Sequence, residues 1–194
     1  MMGPEDVLLP GRAFSFEAAV LFADMVGSTS LAEWLASQGP RGIETLDTTL
    51  NAVFGPLVET AHTFGGEVTH FVGDALVCVW EVEEDSDEAR RHALLRACAA
   101  ALEMRTAVAR IRPLETPFGP VNPAVRIGLG HGPVKVHILG SREQRLWMIS
   151  GPALRSAIQA ETKALPNHVT IHPTARRRAG DAICLLYTSP SPRD

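Results

Sequence analysis

Two strand-like runs joined by only two residues constrain this chain more than any other feature. Glu67-Val-Thr-His-Phe-Val72 and Ala75-Leu-Val-Cys-Val-Trp80 flank Gly73-Asp74, and so short a connection demands a tight antiparallel hairpin. Upstream, Ala18-Ala-Val-Leu-Phe-Ala23 is a short apolar run that predicts a buried strand ending at Asp24. Met25-Val-Gly-Ser-Thr29 then reads as a turn with helix-start residues.

Between these strands the pattern changes period. Leu31, Trp34 and Leu35 fall at helical spacing, and Gly39-Pro40 breaks that helix. Ile43, Leu46, Leu50, Val53, Phe54, Leu57 and Val58 recur at three- and four-residue steps, predicting a long amphipathic helix that ends near Gly65-Gly66. Pro56 is a candidate kink within it. The acidic run Glu81–Glu88 reads as a solvated helix start, leading into an Ala-rich helix over Arg90–Ile111. Pro113–Pro123 reads as a loop. Ala124–Gly130 and Val134–Leu139 read as two strands around His131-Gly-Pro133, followed by a short strand at Trp147–Ile149. A helix over Ala153–Leu165 and a strand over His168–Ile171 complete the reading. A strand, a helical crossover and a hairpin suggest a mainly antiparallel sheet with helices packed on it, a ferredoxin-like α+β arrangement.

Composition narrows the function classes. A formal net charge of −4 without a long basic run argues against nucleic-acid binding. No apolar run reaches membrane-spanning length, and Met1–Arg12 lacks the pattern of a signal peptide. Cys78, Cys98 and Cys184 have no metal-ligand spacing; two of them sit in apolar surroundings and read as core thiols, which points to a reducing, cytoplasmic location.

Two short motifs carry chemistry. Phe22-Ala-Asp24-Met-Val-Gly-Ser-Thr29 places a carboxylate at the end of a buried strand, just before a helix begins. Backbone N–H groups at a helix start suit phosphate oxygens, and a carboxylate suits a hard cation that bridges them. Phe71-Val-Gly-Asp74-Ala-Leu76 places a second carboxylate at a hairpin tip. Asp24 alone could be a helix cap, and Asp74 alone an ordinary turn residue. Their combination in this element order favours a shared site, where two cations on a triphosphate would activate an attacking hydroxyl and neutralise leaving pyrophosphate.

At these segments the chain resembles a class III adenylyl/guanylyl cyclase catalytic domain, and in particular the first catalytic half of soluble, bicarbonate-responsive adenylyl cyclases. The resemblance rests on Phe22–Thr29, on Gly65–Trp80, on Val125-Arg-Ile-Gly-Leu-Gly-His-Gly132 and, more weakly, on Ile149-Ser-Gly-Pro-Ala-Leu154. It covers roughly Ala18 to Pro173. It implies two halves paired head to tail, with the active site between them. It also implies that Asp24 and Asp74 bind two metal ions, normally Mg2+ with Mn2+ as an alternative, and that the Met25 backbone carbonyl completes one shell. Val26, Gly27, Ser28 and Thr29 would hold phosphate oxygens, and Arg126 matches a position that contacts the terminal phosphates; on its own it would read as a surface strand residue.

The departures from the family pattern are as informative. Where base-reading members carry Lys, four residues before the hairpin aspartate, this chain has His70. Where an adenine-binding half has Asp or Thr, it has Trp147 and Met148. The transition-state Asn and Arg positions hold Arg155 and Gln159. A complementary half, downstream or in trans, is therefore expected as partner, with ATP as the substrate by resemblance. His70, with Arg155, is a candidate remnant anion pocket. The alternatives are a non-catalytic cyclase-homology module that binds nucleotide or an anion, and a cyclic-dinucleotide synthase. The second would carry adjacent acids at the hairpin, and Val72-Gly-Asp-Ala75 has none.

The expected organisation is a lead-in over residues 1–17, a cyclase half-domain over 18–183 and a tail over 184–194. The tail, Cys184-Leu-Leu-Tyr-Thr-Ser-Pro-Ser-Pro-Arg-Asp194, is compatible codon by codon with a transposase sequencing adapter. It is read as an artefact of that kind, with the natural chain continuing past Ile183.

Overall fold

A computed structural model describes residues 11–141 and 143–180; the tail and most of the lead-in lie outside them. Six strands form one sheet: β1 (Ala13–Met25), β2 (Glu67–Val72), β3 (Ala75–Glu81), β4 (Val125–Gly140), β5 (Arg145–Ser150) and β6 (His168–Ile171). Five helices accompany them: α1 (Ser28–Ala36), α2 (Pro40–Thr63), α3 (Asp87–Arg110), α4 (Pro152–Glu161) and α5 (Pro173–Ala179). The strand order is β2-β3-β1-β4-β5, antiparallel at every step, and β6 pairs parallel with β4. This is the α+β sheet that the element order predicts.

The central strand β1 is apolar without interruption because both of its faces are covered. Ala19, Leu21, Ala23 and Met25 pack with Val53, Leu57, Leu94 and Met104 of α2 and α3, whereas Ala18 and Val20 join Val77, Val79 and Ala157 on the α4 side. Successive strand residues point to opposite faces, so one run serves two cores. The predicted thiols sit in this interior, and burial pushes both Cys78 and Cys98 up to about 12.

The hairpin turns where expected, with Val72 paired to Ala75. Gly73 takes φ +63°, the positive angle that a type II′ turn requires at its first central residue. Gly39 and Pro40 open α2, which runs through Pro56 to Thr63. Ser86 caps α3 by accepting from the Ala89 N–H, and Asp87 and Glu88 occupy the first turn.

Three readings need correction. The two strands predicted around His131-Gly-Pro133 are one strand, β4. Its pairing with β1 continues through Ala18–Gly132 and Glu17–Pro133. On its other edge β6 pairs only with Arg126–Leu129 and β5 only with Lys135–Gly140. Pro133 falls in the gap, where its missing N–H breaks no ladder on that edge. β1 starts at Ala13 rather than Ala18, and α5 is an added element. Among the described residues no helix is long and apolar enough to cross a membrane.

Candidate active site at the end of the central strands

Strand register builds the site. Asp24 lies opposite Ala75 on β3 and opposite Arg126 on β4. The adjacent Met25 N–H donates to the Asp74 carbonyl at 3.4 Å. One buried strand thus sets a carboxylate beside the hairpin tip on one side and a guanidinium on the other. Asp24, Phe22 and Val20 alternate with the α2/α3 core residues, so the site opens on the α4 side of the sheet.

The side chains hold one another. Arg126 Nη2 donates to Asp24 Oδ2 at 2.5 Å. The Ser28 hydroxyl donates to the Asp74 carboxylate. The carboxylate of Asp24 retains 18% of its exposure and Arg126 retains 34%, so both reach solvent. The hydrogen bond to Asp24 is the main reason that the Arg126 pKa is raised further, and Glu161, Asp24 and Asp74 add to it against the effect of burial. The guanidinium remains charged throughout the working pH range.

Glu161 escaped the sequence reading. It ends α4 with its side chain only 5% exposed, and its Oε1 lies 2.8 Å from Arg126 Nε. Neither atom has an aligned hydrogen bond, so the contact is an ion pair with the N–H pointing off line. Burial raises the Glu161 pKa, against the pull of the Arg126 charge. An acid on a helix ordinarily reads as solvated. The one hint lies across the interface, in Gly128 and Gly130 on β4. A Cβ at Gly128 would meet the Ala157 carbonyl oxygen at 2.1 Å and the Glu161 nitrogen at 2.3 Å; one at Gly130 would meet the Ala153 carbonyl oxygen at 2.2 Å. Bare glycines let α4 settle onto the strand and carry Glu161 under Arg126.

The predicted phosphate segment is placed unevenly. Gly27 caps α1 with φ +72°, and Ser28 and Thr29 begin the helix. N–H groups in a first helical turn have no acceptor within the helix. The Val26 N–H, by contrast, donates to the Ala124 carbonyl at 2.8 Å, so Val26 does not offer it to a phosphate. A cleft of about 600 Å³ beside the hairpin is lined by Ser28, Thr29, Asp47, Phe71 and Asp74, among others.

His70 lies elsewhere on the same sheet face, opposite Val77. Its Nε2 is 2.9 Å from the Trp147 carbonyl oxygen, and the two rings are 4.7 Å apart. Arg155 is exposed on α4, and no contact between it and His70 is found among the described residues. Among the other histidines, His131 is buried at 8% exposure. Burial foremost, with Arg178 and Arg90 nearby and Glu17 opposing, holds it down at about 4. His137 meets the Ser150 hydroxyl at 2.9 Å, and His172 caps α5. Trp80 is fully buried and donates to the Phe64 carbonyl at 2.9 Å.

The donor set fits small hard cations. Among the described residues no group of three or more His, Cys, Asp or Glu converges on a point. Mg2+ does not need one, since it is usually held by one or two carboxylates together with substrate phosphates and water.

Comparison with known proteins gives the family and the fold. Residues 15–182 match the family described as adenylate and guanylate cyclase catalytic domain. Adenylate cyclase type 10 of Mus musculus is 26% identical over 160 residues, covering 81% of this chain, and that of Homo sapiens is 24% identical over 188 residues, covering 95%. The chain spans only 10% and 11% of those two proteins. The guanylyl cyclase Cya2 superposes with a TM-score of 0.73 at 22% identity, covering 95% of this chain and 89% of that one. The adenylyl cyclase CyaB from P. aeruginosa gives 0.68 at 20% identity, covering 89% and 85%. With the sheet and a family match over most of its length, the chain belongs to the adenylate and guanylate cyclase catalytic domain family.

Proposed function

We propose that this chain is the metal- and triphosphate-binding half of a nucleotide cyclase. It would act with a complementary half on ATP to form 3′,5′-cyclic AMP and pyrophosphate. The observation that carries the reading is the register that sets Asp24 between Arg126 and the Asp74 hairpin. Asp24 and Asp74, with the Met25 carbonyl, would hold two Mg2+ ions, with Mn2+ able to substitute. The ions, when bound, supply charge neutralisation on the triphosphate and acidify the ribose 3′-hydroxyl. Gly27, Ser28 and Thr29 orient phosphate oxygens at the start of α1. Arg126 offers a planar fork of donors to the terminal phosphates. The 3′-oxygen attacks the α-phosphorus, its proton passes to solvent, and the bond to the bridging oxygen of pyrophosphate breaks.

Other parts of the reaction fall to the partner. His70 and Trp147 stand at the two positions that would read the base, and they contact each other. Arg155 and Gln159 stand where the transition-state donors are expected. Phe14, Leu139, Leu146, Trp147 and Met148 are exposed at 39%, 45%, 70%, 48% and 46%. An apolar surface of that kind suits association with a second half.

The test has two stages. Calorimetry should show Mn2+-dependent binding of a non-cyclisable ATP analogue, abolished by Asp24→Asn. Mixing with a cyclase half that carries the Lys, Asn and Arg should yield cyclic nucleotide from ATP in preference to GTP. No metal-dependent nucleotide binding by the unmodified chain would overturn the reading. A second reading, a non-catalytic nucleotide-binding module, draws on Arg155 and Gln159, and binding without turnover in any mixture would select it.

A further inference from the structure

We propose that Glu161 is a positioning residue for the triphosphate, holding Arg126 in place when metal ions draw Asp24 away from it. The inference rests on the reading of Asp24 and Arg126 given above and extends it to a residue on a different element.

The two carboxylates take different edges of one guanidinium. Asp24 accepts from Nη2 and Glu161 lies against Nε. A cation arriving at Asp24 cannot share that carboxylate with Arg126 on equal terms, because the two positive charges repel. Arg126 must then let go of Asp24, and its Nη groups become available to phosphate oxygens. Without a second anchor the freed side chain would move into solvent, since 34% of it is already exposed. Glu161 is that anchor. Its side chain is 5% exposed, and an unpaired charge buried so deeply would be costly, so its place beside Arg126 is enforced. The misaligned N–H leaves the guanidinium room to pivot about Nε without losing the ion pair. α4 sits close on β4 along its whole length, its first turn over Gly130 and its last over Gly128, and that close seating places Glu161 beside Arg126.

Removing the Glu161 charge should therefore harm the site in two ways. Arg126, left with Asp24 as its one anionic partner, competes harder with the cation. It is also poorly placed for the phosphates once displaced. A double-mutant cycle on the full chain separates this from loss of packing. Calorimetric titration with Mn2+ alone, and with Mn2+ plus a non-cyclisable ATP analogue, is run on the unmodified chain, Glu161→Gln, Arg126→Met and the double variant. Glu161→Gln should weaken nucleotide binding about tenfold, as expected for one charge-assisted contact. It should also weaken Mn2+ binding several-fold. In the Arg126→Met background the same change should have no further effect on nucleotide, and Mn2+ affinity should recover.

An equal loss in both backgrounds, or none in either, overturns the proposal. Should Glu161→Gln fail to fold, Glu161→Asp serves: it keeps the charge one methylene short, and about a threefold loss confined to the Arg126 background is expected. If the unmodified chain binds no nucleotide with Mn2+, the reading of the site falls and this one with it. If it binds, and Asp24→Asn abolishes binding while Glu161→Gln does not weaken it, only the role of Glu161 falls.

Discussion

Two polar clusters share one face of the sheet and are built in opposite ways. At the ends of β1 and β4, Arg126 is held between the carboxyl groups of Asp24 and Glu161. At the edges of β2 and β5, His70 meets a main-chain carbonyl and the side of an indole. In the function proposed above, a cation or a phosphate would replace one side of an ion pair in the first cluster. The second is closed, with one ring nitrogen of His70 on the carbonyl and the other buried. A charged network at one place and a closed aromatic contact at the other match the division of labour proposed above.

The comparison can be broken most directly at Asp24. Asp24→Asn should lower Mn2+-dependent nucleotide affinity on the order of a thousandfold, at the upper end for loss of one charge-stabilising group. Equilibrium dialysis would read this, and a loss below tenfold would mean that the charged cluster is not the binding centre.

Acid should break the molecule elsewhere. His131 titrates near 4 in the fold against 6.5 ordinarily. Its depressed value means that its contribution is complete above pH 6.5 and lost as pH falls toward 4, where the unfolded chain takes up the proton first. The loss amounts to about 3 kcal/mol. Urea unfolding across that range should show it in the unmodified chain and not in His131→Phe. Equal slopes in both would place the acid sensitivity at other groups.

Arg126→Lys sharpens the contrast with a smaller effect. It keeps the charge but loses the fork, and about a tenfold loss in triphosphate affinity with Mn2+ affinity nearly unchanged is expected. At the aromatic cluster, Trp147→Ala should change triphosphate affinity less than about twofold, within what is expected for a residue outside the binding contacts. A larger effect by the same titration would merge the two clusters into one site.

Much of this is legible in the sequence. Gly73-Asp74 between two β-rich runs has one cheap solution, and the hairpin adopts it. Asp24 was legible because an apolar run ends there and a helix start follows. The Pro133 region misled because a Gly-Pro pair signals a break, and only the staggering of β5 and β6 along β4 shows where a proline is tolerated inside a strand. The short helix α5 has little apolar stripe beyond Ala175 and Ala179, too weak a pattern to stand out. Glu161 was out of reach for a different reason: burial of an acid depends on what lies across the interface, and spacing along its own helix does not record that.

The bare glycines of β4 have a mechanical consequence. With carbonyl groups of α4 seated where side chains would otherwise stand, strand and helix have no compressible layer between them. A push on the outer surface of α4, where Arg155, Ile158 and Gln159 are exposed, is not absorbed by side-chain rearrangement beneath. Its path inward runs through the last helical turn to Glu161 and so to Arg126, like force through a short stiff strut.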